Sequence, residues 1–294
     1  ALAMGVQLAL ARLGTALAMV TVPQIVNLQG YVPFSKTSKP AYIGMCIILV
    51  GLIVWAMFVA MDIKLDRQMI SEKDSGVAKE SKEDRFKFSD VINVLTNREF
   101  VLIALLCVFF YCCIISFRKF ATSIIMPRFD IDGETASVMV SMIPFFTLVF
   151  APLFGAMVDR VGKGTKIMIF GSVLVLLAHL TIAFAPSIPA FGFVGIGMLG
   201  LGYSLVPAAM WPSIPKIVPE KNLGTAFSLM YWIQNMGMML VPVIVGRILD
   251  KTGNAINAEY LFIGLAVCSI LLAFLLSRAS DAKPELALDE RVKK

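Results

Sequence analysis

The stretch Gly155–Lys166, reading GAMVDRVGKGTK, is a charged, glycine-containing turn set between two long apolar runs. The run before it, residues 136–158, and the run after it, residues 167–185, are each about as long as the ~20 apolar residues that a membrane-spanning helix needs. Charges that interrupt such runs belong at the membrane surface, so this loop sets both the class of the protein and its topology. Working outward, further apolar runs occupy roughly residues 1–26, 41–61, 99–127, 135–157, 166–185, 190–215, 223–249 and 259–277. Eight spans are therefore expected.

Composition agrees. The chain has 58% hydrophobic and 16% charged residues and a mean hydropathy of +0.83, so it lacks the polar surface to enclose a water-soluble core of this size. With the loop placed on the cytoplasmic side, 18 of the 26 basic residues fall on that side and seven on the other, as the positive-inside rule requires. The net charge of +6 then reflects topology, and nucleic-acid binding is not indicated. Residues 62–98 are the only long polar stretch and read as a cytoplasmic linker. Ala1 already lies in an apolar run, with no charged segment and no A-x-A site before it, so the start is not read as a signal peptide.

Two passages echo one another. Ala11-Arg12-Leu13-Gly14 in the first span sits like Gln234-Asn235-Met236-Gly237 in the seventh, a weak sign of related halves. The pattern Gly155-x-x-x-Asp159-Arg160-x-Gly162-Lys163 resembles the loop motif of the major facilitator superfamily, in the position between its helices 8 and 9. Ala209-Met210-Trp211-Pro212, Val218-Pro219-Glu220, Leu223-Gly224-Thr225-Ala226-Phe227, Ile233-Gln234-Asn235-Met236-Gly237 and Ile248-Leu249-Asp250 resemble the lysosomal dipeptide transporter branch of that superfamily and its bacterial relatives. Gly5-x-Gln7-Leu8-x-x-Ala11-Arg12-x-Gly14 resembles the start of the family's helix 5.

The resemblance implies an all-α integral membrane fold of two six-helix bundles around a central cavity, of which this chain supplies helices 5 to 12. Residues 1–66 would be the remnant of the first bundle, 67–98 the linker, 99–277 the complete second bundle and 278–294 a cytoplasmic tail. It further implies a solute carrier and, as a possible partner, a single-pass accessory glycoprotein. The membrane is expected to be the cell (inner) membrane in a bacterium or the lysosomal membrane in a eukaryote.

Candidate residues follow from depth and chemistry. Arg12 lies about 17 Å into its helix at ~1.5 Å per residue, where a lipid-facing arginine costs about 2.5–3.5 kcal/mol. A guanidinium facing a cavity suits a carboxylate, which it grips with two parallel hydrogen bonds. The alternative is an ion pair with an acidic residue of upstream helices; in the branch it resembles, the corresponding arginine belongs to the substrate site. Tyr111, Tyr203, Trp211, Gln234 and Asn235 are further cavity candidates, with helix packing or an aromatic belt as their bland alternatives. Gly155, Asp159, Arg160, Gly162 and Lys163 form either a conformational latch or a set of positive-inside anchors.

Other features are read as structural. Arg118 and Lys119 snorkel to the outer surface or form an electropositive funnel. Gly195, Gly197 and Gly200 formally make GxGxxG, but no strand precedes them, and small residues at this density serve helix packing. His179 is expected to make a packing hydrogen bond. Cys46, Cys107, Cys112, Cys113 and Cys268 show no CxxC and no nearby histidine, so no metal or cofactor is expected. Asp62, Glu99, Asp159, Asp250 and Glu259 all fall at span ends, which leaves no deep carboxylate and favours facilitated uniport without ion coupling; dipeptides or similar zwitterions are the substrates that the resemblance implies. The competing readings are a proton-coupled carrier of another organic anion, a non-transporting receptor or scaffold, and an intramembrane enzyme, for which no nucleophile, base or metal set is present.

Overall fold

The computed structural model describes residues 88–291, residues 39–74 (with side chains at 41–65 and 67), and Val6, Ala9, Leu10, Leu13, Gly14, Leu17 and Thr21. The chain divides into two units, Ala18–Phe86 and Ala1–Leu17 with Lys87–Lys294. In the first unit the described element is one long helix, α1 (Lys39–Asp74). Its apolar part, Ala41–Leu65, is long enough to cross a membrane. The helix continues well into the residues expected to form a linker, because nothing between Asp62 and Asp74 breaks it: Lys, Leu, Arg, Gln, Met and Glu are all good helix formers.

The described residues of the second unit form helices joined by short connections, with no strand among them. Its elements are α2 (Phe88–Thr96), α3 (Arg98–Tyr111), a π-helical turn (Cys112–Ser116), α4 (Phe117–Phe129), α5 (Gly133–Val161), α6 (Gly164–Phe184), α7 (Pro189–Ile217), α8 (Leu223–Thr252) and α9 (Ile256–Ala282). α3, the π turn and α4 form one continuous span, so six membrane-length helices lie between Arg98 and Ala282, with α1 a seventh. The chain is a multi-pass membrane protein. In hydrocarbon every backbone polar group must be satisfied inside its own segment, which is why each long apolar run becomes a helix. The first expected span, residues 1–26, lies mostly outside the described residues.

The breaks between helices are chemically marked. Asn97 caps α3 by accepting from the Phe100 N–H at 3.0 Å, while its amide donates to the Ile217 carbonyl at 3.3 Å and so ties the start of α3 to the end of α7. Asp132 caps α5 through the N–H groups of Glu134 and Thr135. The Thr135 side-chain hydroxyl first, and then these N–H groups, hold its carboxyl below the usual aspartate range. Arg128 donates to the carbonyls of Ile182, Ala183 and Ala185 and to Ser187 Oγ, closing the C-terminal end of α6 with a cation where the helix dipole favours one.

The core is built around α7, which packs on α5 and α6, while α9 packs on α6 and α3. Where α6 and α7 cross, a Cβ on Gly202 would come within 2.7 Å of Val175 Cγ2 and 3.0 Å of the Gly171 carbonyl, so only glycine permits this approach. The glycine-rich sixth span is therefore a packing surface. Its three internal prolines, Pro207, Pro212 and Pro215, leave α7 unbroken.

Candidate functional site

Three of the aromatic candidates come together in the second unit. Tyr111 ends α3 at the entry to the π turn, a deformation that often accompanies functional sites. Tyr203 and Trp211 lie about two turns apart on α7, and all three side chains are buried. The Trp211 indole N–H donates to the Tyr111 hydroxyl at 3.0 Å. Tyr111 and Tyr203 meet edge to face with centroids 5.8 Å apart. This satisfies the one polar atom of the buried indole and couples α3 to α7.

Sequence reasoning missed the aromatics on α8. Tyr231 stacks on Trp211 at 4.7 Å, and Phe227, one turn earlier, stacks on the same indole at 6.2 Å. Their spacing of four residues was the available signal, since i and i+4 share a helix face. Tyr231 remains 53% exposed, so one side of the stack faces outward. Gln234 and Asn235 part company: Gln234 is buried, whereas Asn235 is exposed and donates to the Tyr231 carbonyl at 2.7 Å. Gly237 sets the spacing of α8 against α3, because a Cβ there would lie 2.5 Å from Val108 Cγ1 and 2.9 Å from Cys112 Sγ. Arg12, the proposed carboxylate ligand, lies outside the described residues.

The second candidate group sits at one end of the bundle. Gly155 and Gly162 are buried, Asp159 is half-buried, and Arg160 and Lys163 are exposed. α5 runs on past Asp159 to Val161 and stops at Gly162, whose φ of +68° suits glycine. Asp159 thus lies in the last turn of α5 and does not end it. The nearest helix start, that of α6, is capped by a different carboxylate: Asp289 accepts from Thr165 N–H at 2.8 Å and from Thr165 Oγ–H at 2.7 Å. A cavity of about 190 Å³ adjoins the loop, bordered by Asp159, Ser213, Lys216 and Glu290.

Two acidic residues read as lying at helix ends are nevertheless buried. Glu259, in the first turn of α9, is wholly enclosed and hydrogen-bonded to His179 Nδ1 at 2.8 Å. Glu99, in the first turn of α3, is 5% exposed and pairs with Lys283 at 2.8 Å. Both therefore lie at the ends of their spans, as expected, and Glu259 is buried there because a helix terminus is covered wherever neighbouring helices extend past it. Lys119 is exposed and Arg118 half-buried.

Comparison with known proteins follows the same lines. The model of the Major Facilitator Superfamily matches residues 108–293. Over 302 residues the chain is 28% identical to the mouse (Mus musculus) protein named Lysosomal dipeptide transporter MFSD1, an alignment covering 99% of this chain and 61% of that protein. The human (Homo sapiens) protein of the same name is 28% identical over 301 residues, with the same coverage. Uncharacterized MFS-type transporter YwoD of Bacillus subtilis is 25% identical over 210 residues, covering 67% of this chain and 44% of its own. The chain spans about three fifths of the length of the mouse and human relatives.

Proposed function

The chain belongs to the major facilitator superfamily, and from that premise we propose that it forms part of a secondary transporter moving dipeptides or similar small zwitterions by alternating access, as a facilitated uniporter. The similarity to proteins named as dipeptide transporters supports the substrate class. We read 99–277 as the second bundle, 1–66 as part of the first and 67–98 as the connection.

The observation that carries this reading is the Trp211–Tyr111 hydrogen bond, with Tyr231 stacked on the same indole and half open on its other side. Such a stack offers a peptide a flat apolar wall together with a hydroxyl, while the guanidinium of Arg12 would take the terminal carboxylate. Tyr203 backs Tyr111 edge to face, Gln234 is buried within α8, and Asn235 lies on the exposed face of that helix. Uniport fits a His179–Glu259 pair that is bonded to itself and sealed from solvent.

A second reading, a proton-coupled carrier of another organic anion, would need a proton-binding group, for which the buried His179–Glu259 contact is a candidate among the described residues. Reconstituted full-length protein, given equal concentrations of labelled dipeptide on both sides and an imposed proton gradient, separates the two. Exchange without accumulation is the expected result. Accumulation abolished by a protonophore would replace uniport with proton coupling, and the absence of dipeptide flux beside flux of an organic anion would replace the substrate.

A further inference from the structure

The residues after α9 look like a solvated tail, yet they fold back onto the Gly155–Lys166 loop. The segment is held at successive points. Lys283 pairs with Glu99 at 2.8 Å. A turn at Pro284–Leu286 and a left-handed Ala287 (φ 49°) reverse the chain, and Lys216 Nζ donates to the Ala287 carbonyl at 2.7 Å. Leu288 is only 3% exposed. The Asp289 carbonyl accepts from the Lys163 N–H at 3.0 Å, and both its carboxylate oxygens accept from Thr165.

The loop is shaped to receive it. Lys163 occupies the cap position of α6 in a left-handed conformation and supplies no side-chain acceptor, which leaves the first N–H groups of the helix in need of partners. Asp289 provides them from 124 residues away in sequence, and its charge sits at the positive end of the helix dipole. A Cβ on Gly162 would lie 2.7 Å from the Asp289 carbonyl oxygen, and one on Gly164 would lie 2.9 Å from that of Leu288. The glycines of the loop therefore admit the tail as well as the turn. Ser277 on α9 places its hydroxyl 3.1 Å from Thr165 Oγ and donates to it, the one Thr165 hydroxyl proton being taken by Asp289, which binds the same point to the helix from which the tail departs.

We propose that residues 283–291 are a clasp that holds the latch loop in place, with Asp289 as a positioning residue for it. The clasp joins the starts of α3 and α6, the end of α7 and the end of α9, so these move as one piece and Asp159 keeps a fixed place on that face. Any movement of the loop during transport must first break the Asp289 contacts. That consequence rests on the carrier reading; the clasp itself does not.

Hydrogen exchange in the full-length protein tests it. Asp289→Ala should speed exchange of the amides at 163–167 by about fivefold to tenfold, the worth of a helix cap, while peptides around Tyr203 stay unchanged. Asp289→Asn keeps an acceptor for the Thr165 amide and should recover most of the protection; should the alanine variant not fold, a loss of protection at 163–167 alone in the asparagine variant carries the same meaning. In proteoliposomes, turnover of labelled alanyl-alanine should change severalfold at constant half-saturation. Wild-type exchange at 163–167 in Asp289→Ala, or full wild-type protection in Asp289→Asn should the alanine variant not fold, overturns the clasp, as does uniform acceleration in every helix. A changed half-saturation at constant turnover overturns the positioning role. Absence of alanyl-alanine uptake by the unmodified protein refutes the substrate reading only, and the exchange result still decides the clasp.

Discussion

His179 Nδ1 lies 2.8 Å from Glu259 Oε2, with neither side chain exposed. Phe117 approaches the imidazole edge-on and Phe262 stacks on it, each at 5.3 Å between centroids. Cys113 of the π turn also faces this region, its Sγ 3.7 Å from the Phe262 carbonyl while its nearer acceptor is the Phe109 carbonyl at 3.1 Å. One polar contact thus registers α6, α9 and the π-turn span inside an apolar core. His179 Nε2 and Glu259 Oε1 have no hydrogen-bond partner among the described residues, so the pair is held by its internal bond and by ring packing.

Removing one member should cost more than removing both. His179→Leu strands a carboxyl in the core and is expected to destabilise by about 3–5 kcal/mol, whereas His179→Leu with Glu259→Leu should be neutral or stabilising by about 1–4 kcal/mol. Glu259→Leu alone should be milder than His179→Leu, because a neutral imidazole needs no counter-charge. Thermal unfolding of the four proteins checks the order. A double variant as unstable as His179→Leu would mean that shape rather than polarity holds this site.

The Trp211–Tyr111 bond predicts a different pattern. Tyr111→Phe and Trp211→Phe each remove the hydrogen bond while keeping a ring, and each should cost about 0.5–1.5 kcal/mol of stability. The two losses should not add, since either one already breaks the bond. Dipeptide-induced stabilisation should fall in both, and more for Trp211→Phe, which also shrinks the surface that Tyr231 stacks on. Additive losses in the double variant would remove the bond from the account.

Much of the fold was legible because a membrane restricts the choices. An apolar run of the right length has to be a helix, and Gly162 and Asn97 mark their ends by backbone geometry and capping chemistry that a sequence displays. Facing was harder to read. Gln234 and Asn235 are chemically alike and about 100° apart on a helix, and only packing decides that the first is buried and the second exposed. Tyr231 and Trp232 raise the same difficulty, with Tyr231 the one that stacks on Trp211. Asp289 was illegible for another reason: among Lys, Glu, Asp and Arg residues a single buried Leu288 gives no periodic signal, and the helix start it caps is far away in sequence.

Two glycines on α8 should respond oppositely to the same change. Gly237→Ala places a methyl against Val108 and Cys112 and should destabilise by about 1–3 kcal/mol, through strain where α8 packs beside Tyr111. Gly246 has nothing within 4 Å of its ideal Cβ position, so Gly246→Ala should gain about 0.5–1 kcal/mol from helix propensity. Melting temperatures of the two variants, measured side by side, check the signs. A loss at Gly246 equal to that at Gly237 would place an unseen neighbour against that face of α8.

Arg12 is expected to grip the substrate carboxylate. It falls within the apolar run 1–26 that is expected to form a span, and its planar fork matches a carboxylate as an ammonium does not. Arg12→Ala should abolish the thermal shift that a dipeptide induces in the full-length protein. Arg12→Lys should restore only part of it, because one of the two parallel hydrogen bonds is lost. Amidating the C-terminus of the dipeptide should mimic Arg12→Ala in the wild-type protein and have no further effect in the variant, which separates contact with the carboxylate from general damage to the fold. Wild-type shifts in both variants would move the carboxylate site away from Arg12.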